Sequence, residues 1–318
     1  MIRPKALKKG DKICLIGTCS PPIRERIEPA VNWFKSLGLN VVLGKSVYEN
    51  HGYLCGEDNA RAEELNEMFY DKEIKGIFII RGGYGSARIL DKIDFNNIRK
   101  NPKIFSGYSD VTALHIAINQ KCSMVTFHTP MACTEFYRNI DDYTKESFID
   151  NVFNSSSHRK IVNPEEAGKF ESLVRGKASG RIVGGNLSVI TSLMGTPYEI
   201  DTKNKILFLE DIDEPPYKID RMLMQLKMGN KFKDAAGIIL GSWKGCESKD
   251  LSKSLTLREV FEEIIVPEKK PAIMNISCGH CIPTMSIPLG DRFAINTEDL
   301  EITHLDKKAE RNFKISRI

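Results

Sequence analysis

The first 128 residues switch between two hydrophobic periods about five times, and no other feature restricts the fold as much. Lys12–Gly17 (KICLIG) is a short apolar run between Gly10 and Gly17. The segment IRERIEPAVNWFKSLG then sets Ile23, Ile27, Val31, Phe34 and Leu37 three and four residues apart, which is one face of a helix. LNVVLG reads as a second strand. Asn59–Tyr70, with Ala60, Leu65 and Met68 among charges, reads as a second helix. IKGIFII (74–80) is a buried strand rich in β-branched residues, followed by a glycine loop and a short helix, GSARILDKI. Strand KIFSG (103–107), helix DVTALHIAINQ (110–120) and strand SMVTFH (123–128) complete the series. Strands separated by helices cannot pair as hairpins. Right-handed crossovers lay them parallel in a doubly wound sheet covered on both faces. Ligands of such sheets bind beyond the carboxyl ends of the strands, so chemistry in this half is expected just after a strand.

The pattern changes near residue 150. Serines, charges and glycine dominate 151–179 without a clear period, so this stretch reads as a linker. It separates an N-terminal α/β domain (1–150) from a smaller, mixed and β-rich C-terminal α/β domain (180–318). The second domain opens with RIVGGNLSVITSLMG and continues with strand KILFLE (205–210) and the amphipathic helix YKIDRMLMQLKMG. Strand AGIILGSW, helix TLREVFEEII and a Pro-rich, strand-like tail follow.

Bulk properties narrow the functional classes. Hydrophobic residues make up 41% and charged residues 28%, as in ordinary globular proteins. The net charge of +4 is carried by dispersed Lys and Arg, which excludes a phosphate-tracking nucleic-acid surface. No apolar run approaches the ~20 residues of a membrane helix. The basic N-terminus, MIRPKALKKGDKICLIG, has too short an apolar stretch for a signal peptide. Eight cysteines scattered through a long chain do not form a disulfide scaffold, so the expected setting is cytoplasmic and reducing.

Near the C-terminus, ISCGHCIP (276–283) places Cys278 and Cys281 around Gly279 and His280. A dithiol redox site wants its first cysteine at a helix N-terminus, where the dipole lowers the thiol pKa. Pro283 and Pro288 argue against a helix there. A structural zinc site wants four N/S ligands, and no second CxxC or HxxxH completes the set. That leaves packing cysteines around a histidine on a turn.

Three other stretches carry candidate chemistry, each beside a plainer reading. In SGYSD (106–110), Ser109 stands at a strand-to-helix boundary, where a tight turn can expose its hydroxyl beside the N–H of Asp110; either residue can instead be a helix N-cap. RGGYGSAR (81–88) follows a buried strand, and Gly82 or Gly83 can offer an N–H to the same developing oxyanion. A phosphate loop and a simple tight turn are its alternatives, although neither phosphate signature is present. In KILFLEDIDEPPY, Glu210 ends an apolar strand and can orient a histidine. The cluster with Asp211, Asp213 and Glu214 can alternatively bind Mg²⁺ or be a solvated turn. Ser109, Glu210 and His280 together make one nucleophile–base–orienter set.

These motifs, SGYSD-x-T, RGGYG, VGGNLS (183–188), FLEDI-x-E-x-PY-x-ID-x-ML and GH-x-x-P followed by PLG, resemble the LD-carboxypeptidases, the muramoyltetrapeptide carboxypeptidase family of serine peptidases. The resemblance runs from KKGDKICLIG to PLGDRFAI. It implies Ser109 as nucleophile, His280 as base, Glu210 as its orienter, and the N–H groups of Asp110 and Gly83 as oxyanion donors. It also implies a homodimer and a cytoplasmic murein tetrapeptide substrate that loses its terminal D-alanine during peptidoglycan recycling. Such a relay needs no metal or organic cofactor. Recognition of the free carboxylate suits Arg81, beside the glycine loop, although a surface arginine capping a strand end is its other reading, and Asn186 can bond the substrate backbone or serve as a turn residue. Cys278 and Cys281 depart from the family pattern.

Two rival functions follow from the same residues. Microcin-immunity proteins of the same superfamily cleave peptide–nucleotide amides and need an aromatic platform, for which Trp243 is a candidate; core packing is its other reading. A nucleotide- or redox-sensing binding protein built on the GGYG loop and the CGHC pair is the non-hydrolytic alternative.

Overall fold

The computed structural model describes residues 1–154 and 159–305. The chain divides into two compact units of nearly equal length, Met1–Ser155 with Met285–Leu289, and Ser156–Thr284 with Gly290–Ile318. The first carries β1 (Lys12–Ile16), α1 (Ile27–Ser36), β2 (Asn40–Leu43), α2 (Asp58–Tyr70) and β3 (Ile74–Ile79). It continues with α3 (Phe95–Lys100), β4 (Ile104–Gly107), α4 (Thr112–Cys122), β5 (Thr126–His128) and α5 (Asp142–Val152). The second holds β6 (Arg159–Ile161), β7 (Glu171–Val174), β8 (Lys177–Asn186), α6 (Leu187–Ser192), β9 (Lys205–Ile212) and α7 (Pro216–Met228). After α8 (Lys231–Asp234), β10 (Gly237–Lys244), α9 (Leu257–Ile264) and β11 (Ala272–Met274), β12 (Ile287–Leu289) belongs to the first unit. The strands β13 (Arg292–Asn296) and β14 (Glu301–Leu305) belong to the second.

In the first unit the strand order is β12-β5-β4-β3-β1-β2, with β2, β1, β3, β4 and β5 parallel. This is a doubly wound order whose direction reverses between β1 and β3, the place where such sheets bind ligands. Every residue of β4 is buried, as parallel strands covered on both faces require. The helices fall into two groups. α3 packs with α2 and α4, whereas Trp33 of α1 stacks on Phe136 at 3.9 Å and meets Phe148 of α5 edge-on. Phe34, Phe78 and Phe127 continue that core. The sheet is not wholly parallel: β12, a strand of three residues remote in sequence from the rest of the sheet, adds an antiparallel edge through Ile287↔His128.

The second unit is built on eight strands in the order β6-β14-β13-β8-β9-β10-β11-β7. Its centre, β8 to β11, is parallel, and antiparallel strands flank it on both sides. Within 151–179, β6 and β7 form the two edges of this sheet. Among the described residues, no helix is long and apolar enough to cross a membrane.

Candidate active site

Ser109 occupies the junction between β4 and the single turn, Ser109–Val111, that leads into α4. Its φ of 66° lies in the left-handed region, which costs a non-glycine residue about 1–3 kcal/mol and persists only where the surroundings impose it. Those surroundings are dense. His115 Nε2–H donates to the Gly107 carbonyl at 2.9 Å, and the Thr129 N–H reaches the same oxygen at 3.1 Å. The Tyr108 hydroxyl donates to Glu135 Oε1 at 2.8 Å, and Glu135 Oε2 accepts the Met131 N–H at 2.8 Å. Burial pushes the His115 imidazole down to about 4, so this support is neutral at physiological pH. Neither the turn nor α4 takes a side-chain cap, so the N-cap reading of Ser109 and Asp110 does not hold.

The RGGYG loop follows β3 and lies against this serine. A Cβ built on Gly82 would stand 2.9 Å from Ser109 Cβ and 3.1 Å from its Oγ, closer than packed side chains allow. The loop is tied to the end of β1: the Ser20 N–H donates to Gly82 O at 3.2 Å, and Ser20 Oγ accepts the Tyr84 N–H at 3.3 Å. Asp110 turns its carboxylate inward. Oδ2 accepts the Ser86 N–H at 2.7 Å, and burial raises the carboxyl pKa. Arg81 is exposed and donates from Nη1 to the Pro21 carbonyl at 2.8 Å.

In the second unit, Glu210 on β9 is fully buried, and its Oε2 accepts His280 Nδ1–H at 2.6 Å and the His280 backbone N–H at 3.2 Å. With Nδ1 committed as donor, the neutral ring presents Nε2 as its basic nitrogen. The close approach depends on Gly279, whose φ is +112° and where a Cβ would stand 2.5 Å from Glu210 Oε2. No helix occurs between β11 and β12, so Cys278 has no helix dipole to lower its pKa. Burial instead raises both thiols, Cys278 well above the usual range. None of the eight cysteines is in a disulfide.

The remaining expected residues have structural partners. Asn186, expected as a substrate contact or turn residue, caps α6: Oδ1 accepts the Val189 N–H at 3.1 Å and Nδ2 donates to Asp211 at 2.9 Å. It is buried and pairs with Glu210 across β8 and β9. Asp211 also accepts from Ser188 N–H and Oγ, while Glu214 pairs with Lys218 at 3.0 Å. The acidic run is thereby split among separate duties. Among the described residues, no group of three or more His, Cys, Asp or Glu side chains is arranged to hold a metal ion. Trp243 packs against Phe261 of α9, with ring centroids 5.1 Å apart.

Sequence reading missed Ser20, Ser86 and Arg61. Arg61 is fully buried although α2 is rich in charge. Its signal was the four-residue spacing Arg61, Leu65, Phe69, which places the arginine on the inward face. Ser20 and Ser86 carry no comparable pattern.

An alcohol on a strained elbow beside close-approaching glycine backbone, and an imidazole oriented by a buried carboxylate, are the components of serine acyl transfer. The LD-carboxypeptidase N-terminal domain matches residues 13–129, and the LD-carboxypeptidase C-terminal domain matches residues 179–295. The chain belongs to the LD-carboxypeptidase family of serine-type peptidases. Among its relatives, a probable murein peptide carboxypeptidase of Bacillus subtilis is 46% identical over 93% of this chain and 92% of its own. The microcin C7 self-immunity protein MccF of Escherichia coli is 29% identical over 93% of this chain and 94% of its own. A solved MccF structure in complex with glutamyl sulfamoyl guanosine aligns at a TM-score of 0.88 and 27% identity, over 96% of this chain and 98% of that one. Muramoyltetrapeptide carboxypeptidase from Oxalobacter formigenes aligns at 0.80 and 25% identity, over 92% and 97%.

Proposed function

We propose that this carboxypeptidase hydrolyses the L,D-amide bond that joins the diamino acid of a murein tetrapeptide to its terminal D-alanine, in the cytoplasmic recycling of peptidoglycan. Ser109 Oγ attacks the scissile carbonyl while His280 accepts its proton. Glu210 orients the imidazole and stabilises the imidazolium. The backbone N–H groups of Asp110 and Gly83 receive the oxyanion. His280 then protonates the departing D-alanine amine, and water hydrolyses the acyl-enzyme. Arg81, exposed beside the loop, is the proposed partner of the substrate carboxylate. Asn186 enters as a brace beneath Glu210, because its amide already serves Val189 and Asp211. Action as a homodimer is part of the proposal, and eight cysteines without a disulfide suit a reducing compartment.

The observation that carries this reading is the 2.6 Å contact between the Glu210 carboxylate and His280 Nδ1, buried on the carboxylate side. The 46% identity to the murein peptide carboxypeptidase favours the substrate class. The likeness to MccF favours a second substrate, an aminoacyl-sulfamoyl nucleoside. Packing of Trp243 on Phe261 argues against its use as a nucleobase platform. D-alanine release from a defined tetrapeptide, measured for wild type and Ser109→Ala beside hydrolysis of an aminoacyl-sulfamoyl adenylate, decides between them. Turnover of the tetrapeptide that vanishes in Ser109→Ala and survives EDTA is the expected result. Turnover of the adenylate alone selects the second substrate, and near-normal activity in Ser109→Ala removes the nucleophile assignment.

A further inference from the structure

Arg61 is the least expected buried group in the first unit. Its guanidinium is fully enclosed, and every hydrogen bond it makes goes to a loop at the carboxyl edge of the sheet or to the start of its own helix. Nη1 donates to the Thr18 carbonyl beyond β1 and, at 3.0 Å, to the Gly85 carbonyl in the loop beyond β3. Nε donates to Gly56 O at 3.2 Å, and Nη2 to Asp58 Oδ1 at 2.5 Å. The next N–H after the Gly85 carbonyl is that of Ser86, which donates to Asp110 Oδ2 at 2.7 Å. One peptide group, Gly85–Ser86, is therefore held at both ends by opposite buried charges. The cation takes its oxygen and the carboxylate takes its N–H, in the sense that aligns the peptide dipole with both.

Around this peptide the polar contacts close further. Ser86 Oγ lies 3.1 Å from Cys19 Sγ and 3.3 Å from Thr18 Oγ1, which adds the end of β1 to the same cluster. A buried arginine and a buried aspartate are costly to desolvate, and a structure that needed only packing could fill the space with apolar groups. Here the charges act on the two backbone segments whose spacing matters to an acyl-transfer site: the glycine loop and the elbow that begins at Ser109.

We propose that Arg61 is a positioning residue of this enzyme. With the Asp110 carboxylate it clamps the Gly85–Ser86 peptide, and so fixes the glycine loop after β3 against the serine elbow after β4. Asp110 then has two duties, an N–H toward the oxyanion and a carboxylate that holds the opposite donor loop at its distance. This rests on the assignment of Ser109 and the two N–H donors made above.

The test is a set of purified full-length variants assayed for D-alanine release. Asp110→Ala is expected to lower kcat by about 10²-fold with KM within threefold, because a misplaced donor weakens only the transition state. Asp110→Asn, which retains an oxygen acceptor for the Ser86 N–H, is expected to recover at least tenfold of that loss. Arg61→Lys, a smaller perturbation, is expected to lower kcat about tenfold, again without raising KM. A folded Asp110→Ala or Arg61→Lys enzyme with kcat within threefold of wild type overturns the clamp, as does a rise in KM with kcat unchanged. Failure of both variants to fold, judged by circular dichroism and gel filtration, assigns the cluster to stability and also overturns it. Ser109→Ala, run alongside, separates the two levels. If it stays active, the nucleophile assignment has failed; if it is inactive while both clamp variants work normally, only the clamp has.

Discussion

The two halves of the proposed chemistry are held in place by different physics. In the first unit, Ser109 is set by main-chain conformation: a left-handed φ, a neighbour that must be glycine, and carbonyls anchored by neutral donors such as His115. In the second, His280 is set by a side-chain pair in which a fully buried carboxylate meets Nδ1 at 2.6 Å. A nucleophile needs a fixed trajectory, which main-chain conformation supplies, with the buried Arg61 and Asp110 charges acting on it only through a backbone peptide. A base needs a stabilised cation, which only a charge can supply.

The contrast can be broken by substitution. Ser109→Ala removes the bond-forming atom and is expected to cut kcat by roughly 10⁴–10⁶-fold, since a triad fails as a unit. Glu210→Gln keeps shape but removes the charge, and is expected to cost about 10³–10⁴-fold in kcat with KM little changed. If Glu210→Gln retains a tenth of wild-type turnover, the second unit does not work through charge.

Backbone changes should divide in the opposite sense. Gly82→Ala inserts a methyl 2.9 Å from Ser109 Cβ and is expected to lower kcat about 10²-fold with a smaller loss of melting temperature than a change at Gly279, because no left-handed φ is strained there. Gly279→Ala adds strain at φ +112° as well as a clash with Glu210, so it is expected to lose activity together with about 1–3 kcal/mol of stability. Equal melting temperatures for the two variants would erase the distinction.

Acid sharpens the comparison on the first unit. The His115 imidazole titrates at about 4 when folded and near 6.5 when exposed. Between those values the unfolded chain binds a proton that the folded chain refuses, so stability is full above pH 6.5 and falls as the pH drops toward 4. The loss amounts to about 3 kcal/mol. Urea midpoints between pH 7 and pH 4 are expected to decline with that slope, and His115→Leu to flatten it. The smallest effect is expected at Cys281, whose thiol burial holds in its protonated form. Cys281→Ser should retain activity within twofold, and a dependence on oxidant that the variant abolishes would reinstate a redox role.

Much of this arrangement was readable in the chain. The strands at residues 12–16, 40–43 and 74–79 and the helices at 58–70 and 216–228 stand where period and composition indicate. Short elements escaped. β6, in the stretch that reads as a linker, has three residues, too few for any period to register, and β12, in the tail that reads as strand-like, is as short; each pairs with a strand remote in sequence. α5 also went unread, although Asp141 caps it by accepting the Thr144 N–H at 2.8 Å. At the site, motif context singled out Ser109, Glu210 and His280, whereas the bond of Asn186 to Asp211 and those of Arg61 to Thr18 and Gly85 join residues remote in sequence.

By itself the sequence determined the alternation of strand and helix, the family, and which side chains have the chemistry for acyl transfer, because these depend on local period and residue type. Only the tertiary structure decided that Ser109 is left-handed, that Gly82 must be bare, and that a charged side chain on α2 turns inward to hold a peptide beyond β3. Those outcomes depend on distances between segments dozens of residues apart. Such distances are set by how the sheet packs, which no local pattern encodes.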